Sequence, residues 1–138
     1  MKKLDQYIYE SIYKVDKKKQ LDIILKNNPA NDEEYSYHTW IRTIDDIKTF
    51  DEAIEDENPN KEDLTPDFRK KDIEKALITN RIIIYSSKEI KPGIFVTPSK
   101  IEAQSYAGNN KVYSMEVMLS DIAWIDPLQG QYAKNMII

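Results

Sequence analysis

The chain has 138 residues, the size of one domain, and 32 % of them are charged against 41 % hydrophobic, which is typical of a small protein with a heavily solvated surface. Its net charge of −4 argues against generic nucleic-acid binding, although a local basic patch stays open. With no cysteine, one histidine and three glycines, the chain excludes disulfides, thiolate catalysis, cysteine- or histidine-rich metal sites and glycine-rich phosphate loops.

Neither a membrane span nor an export signal is indicated. No run of 18 apolar residues is present, and "MKKLDQYIYESIYKVDKKK" at the N-terminus lacks the apolar centre of a secretory signal. The lack of cysteine fits a reducing compartment. We therefore expect a protein of the cytoplasm, with no membrane and no metal among its partners.

Residues 1–28 are predicted to be helical, because apolar residues recur along them at three- and four-residue spacing. Pro29 and the polar residues after it end this segment. We expect residues 1–30 to form an N-terminal helical segment, as a leader, an appendage or a helix packed on the domain, and residues 35–138 to form the domain itself.

The first half of the domain is predicted to contain one strand, two helices and a second strand. Residues 35–44 are rich in aromatic and β-branched side chains and favour a strand. Asp45 is expected to cap the helix that follows, and a polar loop with two prolines separates it from a helix over 69–80. The strongly apolar "RIIIYSS" at 81–87 predicts a short strand.

A strand-to-helix turn follows, and it contains two of the three glycines. "GIFVT" at 93–97 predicts a strand. Thr97 suits the N-cap of a helix over 98–107, Pro98 its first position, and Gly108 the left-handed residue after its last turn.

The last part of the chain adds strands at 111–119 and 123–125, followed by "DPLQGQY". The sequence therefore predicts an α+β protein, with helices first and then a sheet of at least four short strands into which one helix is inserted.

Several side chains have both a structural and a functional interpretation. His38 and Arg42 share one face of the predicted strand; they are a half-buried histidine and a solvated arginine, or a clamp for ribose or phosphate. Phe95 and Tyr106, eleven residues apart, are core aromatics or the two walls of a slot for a flat ring. Gln131 belongs to a polar turn or presents its amide at the mouth of a cleft.

The order of His38, "GIFVTPSKIEAQSYAG" at 93–108 and the late "GQY" resembles the ADP-ribosyltransferase superfamily, in particular its branch with an H-Y-E signature. The likeness covers roughly residues 35–134, and the strand-to-helix stretch is also similar to many phage-encoded members. The resemblance implies an ADP-ribosyltransferase-like split β-sheet. It also implies an NAD-dependent mono-ADP-ribosyltransferase of phage or mobile-element origin that modifies a protein or nucleic acid of the host.

The resemblance also implies the site. Phe95 and Tyr106 would enclose the nicotinamide ring, His38 would hold the ribose on the adenosine side, and Gln131 would orient the nicotinamide ribose. The NAD-binding residues would be His38, Thr39, Arg42, Phe95, Thr97, Ser99 and Tyr106, with His38 and Gln131 as the catalytic residues.

The sequence departs from the family pattern at two positions. Gln131 replaces the family's glutamate; an amide keeps the hydrogen bond but loses a charge worth roughly 3–4 kcal/mol, or about 10²–10³ in rate. Ala103 stands where a hydroxyl residue would hold the nicotinamide amide, so Thr97, Ser99 or Ser105 would have to replace it.

A second branch of the superfamily, with an R-S-E signature, would use Arg42, Thr97 or Ser99, and the Gln129-x-Gln131 pair. It lacks the glutamate at the same place.

Two other classes of function stay open. In the first, the chain would be a catalytically silent relative that binds a nucleotide or protein, such as an inhibitor of a host defence. In the second, it would be a virion accessory protein that uses the fold as a scaffold. A carboxylate from Glu116, Asp121 or Asp126 that reaches the cleft would favour the enzyme, and its absence would favour binding.

The N-terminus offers a further alternative. Ile8-Tyr9-Glu10 is similar to the cleavage site of leader peptides on internal proteins of tailed phages. A leader of this kind would place the protein in the virion, with Ser11 as its first residue.

Overall fold

The computed structural model describes residues 15–27 and 41–134, and over these ranges the protein is α+β with four α-helices and two small antiparallel sheets. The helices are α1 (Lys17–Lys26), α2 (Phe50–Glu57), α3 (Lys70–Thr79) and α4 (Lys100–Ala107). The strands are β1 (Arg81–Ser86), β2 (Phe95–Val96), β3 (Tyr113–Met118), β4 (Ile122–Asp126) and β5 (Gln129–Tyr132). Short 3-10 helices lie at Ile44–Asp46 and Leu119–Asp121.

Within the described residues, a bridge between Tyr85 and Thr97 joins the two sheets. β1 pairs with β3 in one sheet, and β5 lies between β2 and β4 in the other. The backbone N–H of Tyr85 donates to the Thr97 carbonyl at 2.7 Å, and the N–H of Thr97 donates to the Tyr85 carbonyl at 3.0 Å. This contact brings the end of β1, the end of β2 and the start of α4 to one place.

The main core lies under β1 and β4. Trp124 of β4 is fully buried, and its ring centroid lies 4.8 Å from that of Phe50 on α2. The inward residues of β1, Ile82 and Ile84, pack into the same cluster with Ile73 of α3. Complete burial of such a side chain stabilises the fold by about 1.5–3 kcal/mol, so this cluster fixes both sheets to α2 and α3.

Helix α1 belongs to the core. Ile24 is completely buried in a second cluster that includes Ala123 of β4. The side-chain amide of Gln20 donates to the carbonyls of Ser120 and Ile122, at 2.9 and 3.2 Å. Residues 17–26 are therefore an integral helix of the domain rather than an appendage. The proposed leader site at residues 8–10 lies outside the described residues.

Gly93 allows the end of α1 to pack closely against the loop before β2. Its φ is +92°, and a Cβ built on it would lie 2.6 Å from the backbone oxygen of Asn27. The absence of a side chain at this position thus serves the packing of α1.

The predicted first strand is found only in part within the described residues, since residues 35–40 lie outside them. Residues 41–43 are not paired in a sheet, and a 3-10 helix follows. The predicted cap at Asp45 is wrong, because α2 begins at Phe50 and its N-cap is Thr49, whose hydroxyl oxygen accepts from the N–H of Glu52 at 3.2 Å. Asp46 belongs to the preceding 3-10 helix, and its carboxylate accepts from the N–H groups of Arg42 and Thr43 at 2.9 Å each. These N–H groups hold the pKa of Asp46 below its ordinary value.

Helix α4 begins two residues later than predicted. Thr97 is engaged in the bridge to β1, and its hydroxyl oxygen accepts from the N–H of Ser99 at 3.2 Å. Ser99 is the N-cap, and its side chain accepts from the N–H of Glu102. The pairing of Thr97 with β1 therefore delays the helix to Lys100.

Candidate functional site

A cavity of about 550 Å³ opens where the two sheets meet. Phe95 and Thr97 line it from β2 and its end, and Tyr106 lines it from α4. The hairpin between β4 and β5 closes the opposite side with Asp126 and Gln129. The cavity is therefore built from the strand-to-helix turn that carries the family resemblance.

Phe95 and Tyr106 line the same cavity, as the slot interpretation requires. Phe95 is 9 % exposed on β2, whereas Tyr106 is 59 % exposed on α4. The phenyl ring is thus part of the floor and the phenol lies at the rim. A flat group that enters the cavity would meet a fixed aromatic ring and a solvent-facing one.

The three hydroxyl residues named as replacements for Ala103 lie in different places. Thr97 lines the cavity, as Ala103 does. Ser99 is completely buried, and its hydroxyl donates to Asp67 at 2.7 Å. The hydroxyl of Ser105 donates to the carbonyl of Glu102 at 2.6 Å. The Ser99 hydroxyl is therefore engaged at the start of α4, and Ser99 does not line the cavity.

Gln131 was predicted to present its amide at the mouth of the cleft, but it does not line the cavity. Its side chain is 0 % exposed; its carbonyl oxygen accepts from the N–H of Ile41 at 3.0 Å, and its amide donates to the carbonyl of Gly93 at 2.9 Å. The amide satisfies two backbone groups that β5 brings beside it. Gln131 is a structural residue of the core.

Of the three carboxylates named as candidates, Asp126 reaches the cavity. It ends β4, and its Oδ1 accepts from the N–H of Leu128 at 2.8 Å in the hairpin turn. Burial raises the pKa of the Asp126 carboxyl above its ordinary value, and the N–H groups of the turn offset this only in part. Lys48 also favours the charged form, but its Nζ is 3.3 Å from Asp56.

The other two candidate carboxylates lie elsewhere. Glu116 is exposed on β3, and the carboxylate of Asp121 accepts from the N–H of Met118 at 3.0 Å. Asp126 alone of the three lines the cavity. This is the arrangement that we expected to favour an enzyme.

Sequence reasoning missed several lining residues. Glu57, at the end of α2, and Glu102, on α4, add two carboxylates, and Tyr85 adds a third aromatic ring. The pairing of Tyr85 with Thr97 joins strands that have no periodic relation in the sequence. Asp126 was already one of the three candidate carboxylates, and "DPLQG" around it is a turn pattern between two short strands.

Of the predicted polar residues His38, Thr39 and Arg42, the structure describes only Arg42. His38 and Thr39 lie outside the described residues. Arg42 is exposed, does not line the cavity, and its backbone N–H is bonded to Asp46.

Comparison of the chain with known proteins gave no match to a family model, a curated protein sequence or a solved structure. In residues 15–27 and 41–134, the helices are too short and too polar to cross a bilayer. The same residues contain no group of three or more histidine or acidic side chains suited to a metal ion.

Proposed function

We propose that the protein is an NAD-dependent mono-ADP-ribosyltransferase with an ADP-ribosyltransferase-like split sheet, of phage or mobile-element origin, that modifies a macromolecule in the host cytoplasm. The observation that carries the proposal is that Phe95, Tyr106 and Asp126 line one cavity. An aromatic slot with a carboxylate at its side suits a ring whose glycosidic bond is cleaved.

The architecture supports the proposal. Two small antiparallel sheets meet at the bridge between Tyr85 and Thr97, and α4 follows β2 after three residues. This arrangement is compatible with the split sheet that the resemblance implies, and it presents Tyr106 to the cavity that Phe95 lines.

The chemistry assigned to Asp126 follows from its charge. When the bond between the ribose C1′ and the pyridinium nitrogen breaks, its electron pair goes to the ring nitrogen and nicotinamide leaves neutral. Positive charge develops on the ribose, and a nearby carboxylate stabilises it by electrostatic attraction. The acceptor nucleophile then bonds to C1′ and releases its proton to solvent. Asp126 would thus supply the charge that the resemblance placed at Gln131.

The test measures NAD binding by titration calorimetry and nicotinamide release on the same sample, with a host lysate as the source of acceptor. We expect release by the wild type, its loss in Asp126→Asn and its retention in Glu116→Gln, which removes an exposed carboxylate away from the cavity. Unchanged release by Asp126→Asn would overturn the role of Asp126. Absence of NAD binding by the folded wild type would overturn the function.

A second function is favoured by one observation. Gln131 replaces the family's glutamate, and its amide is held inside the core. A catalytically silent relative that binds a nucleotide or protein would show this loss. Binding of NAD without nicotinamide release, with and without lysate, would support this alternative over the enzyme.

A further inference from the structure

Among the described residues that line the cavity, the charged side chains are all acidic. Glu57, Glu102 and Asp126 line it, and none of the described lining residues is lysine, arginine or histidine. Phe95 and Tyr106 provide aromatic rings within the same wall. Carboxylates and aromatic rings together are the groups that attract organic cations.

We propose that this cavity is selective for a flat organic cation over its neutral counterpart. The identification of that cation as the oxidised pyridinium ring of NAD rests on the function proposed above; the selectivity itself does not. The cavity of about 550 Å³ is large enough for a substituted six-membered ring.

Burial strengthens the attraction at Asp126. The carboxyl lies partly out of solvent, so its field in the cavity is less screened than that of a surface acid. The Lys48 ammonium favours the charged form of Asp126, but it is also engaged by Asp56 at 3.3 Å. A ligand cation in the cavity would offset part of the negative charge that the described residues place on this wall.

The same charges disfavour an anion. A diphosphate placed among Glu57, Glu102 and Asp126 would be repelled, and no described cation lines the cavity to hold it. A dinucleotide would therefore enter by its pyridinium end, with its phosphates outside this wall.

The experiment compares two probes that share shape and differ in charge, nicotinamide and 1-methylnicotinamide, by ligand-observed and protein-observed NMR titration of the full chain. We expect 1-methylnicotinamide to bind about tenfold tighter, and raised salt to weaken this preference. Glu102→Gln and Asp126→Asn should each reduce the ratio several-fold, and Glu116→Gln should leave it unchanged. The use of two variants keeps the test decisive if one of them fails to fold.

Equal binding of the probes, tighter binding of nicotinamide, or no binding of either by the folded wild type would overturn the proposal. An equal loss in Glu116→Gln would also do so, because it would indicate a general charge effect. Preference for the cation without NAD cleavage would support the selectivity and contradict the enzyme. NAD cleavage without a preference for the cation would support the enzyme and contradict the selectivity.

Discussion

The hydroxyl of Ser99 donates a hydrogen bond of 2.7 Å to the carboxylate of Asp67, which lies 32 residues earlier in the chain. The same carboxylate accepts from the hydroxyl of Thr65 at 2.8 Å and from the backbone N–H of Ile101 at 3.1 Å. Asp67 thus joins the loop before α3 to the first turn of α4. Because α4 carries Tyr106, this contact also positions one wall of the cavity.

The Asp67 contact predicts a pH-dependent stability. Burial alone would raise the pKa of Asp67, but hydrogen bonds from Ser99, Thr65 and the N–H groups at the start of α4 outweigh it and lower the pKa. A lowered folded pKa stabilises the protein above the unfolded pKa of about 3.9, and the effect is lost as pH falls through the folded value. Asp67→Asn should therefore reduce the free energy of unfolding by about 1–2 kcal/mol at pH 7, discounted for solvent exposure, and by much less near pH 3.

Urea unfolding at the two pH values measures this difference. Asp22→Asn, which changes an exposed carboxylate on α1, is the matched control and should be nearly neutral. A cost for Asp67→Asn that is the same at both pH values would contradict the assignment.

Tyr106→Ala should weaken the binding of NAD or 1-methylnicotinamide several-fold. An aromatic stacking contact is worth about 0.5–1.5 kcal/mol beyond buried area, and Tyr106 lines the cavity while 59 % exposed. The thermal midpoint of Tyr106→Ala should change little, because the Tyr106 side chain is largely exposed. Ile78→Ala, at an exposed position on α3, is the control for binding by titration calorimetry. Equal affinities in both variants would remove Tyr106 from the site.

Gln131→Glu should destabilise the protein instead of restoring activity. The new carboxylate would be fully buried, and it could not donate to the carbonyl of Gly93 as the amide does at 2.9 Å. An unpaired buried charge costs about 3–5 kcal/mol, so the thermal midpoint should fall by roughly 10 °C or more. Scanning calorimetry measures the midpoint. A stable Gln131→Glu protein with faster nicotinamide release would return this position to the catalytic site.

Ile24→Ala should cost about 2–4 kcal/mol, because Ile24 of α1 is completely buried within the second cluster. Leu25→Ala, one residue along at 47 % exposure, should cost well under 1 kcal/mol. Chemical denaturation of the two variants compares them directly. Similar small effects would indicate that α1 is attached only weakly to the domain.

The elements that the sequence predicted well are those whose causes are local. Helix α3 and strand β1 have apolar residues at the spacing of their own element, and both lie within one or two residues of their predicted bounds. The start of α4 was misplaced because the backbone of Thr97 pairs with that of Tyr85, a contact that no pattern in the neighbouring sequence indicates. Long-range pairing decided that boundary.

The same reason explains the site. Phe95 and Tyr106 flank one turn, so their approach to a common cavity could be predicted from spacing. The place of Gln131 depends on Ile41 and Gly93, which lie 90 and 38 residues away. No pattern within "GQY" distinguishes an amide that bonds two distant backbone groups from one that faces a cleft.

The contacts of Gly93 connect the attachment of α1 to the floor of the cavity. Gly93 lies two residues before Phe95. Its α-carbon, which has no side chain, faces Asn27 at the end of α1, and its N–H donates to the carbonyl of Tyr132 at 2.7 Å. A disturbance that lifted α1 would release the loop that leads into β2. Hydrogen exchange at the Gly93 amide would then report on α1 from the cavity side, and a ligand on Phe95 would slow it. Binding in the cavity and docking of residues 17–26 would thus reinforce each other through one residue that has no side chain.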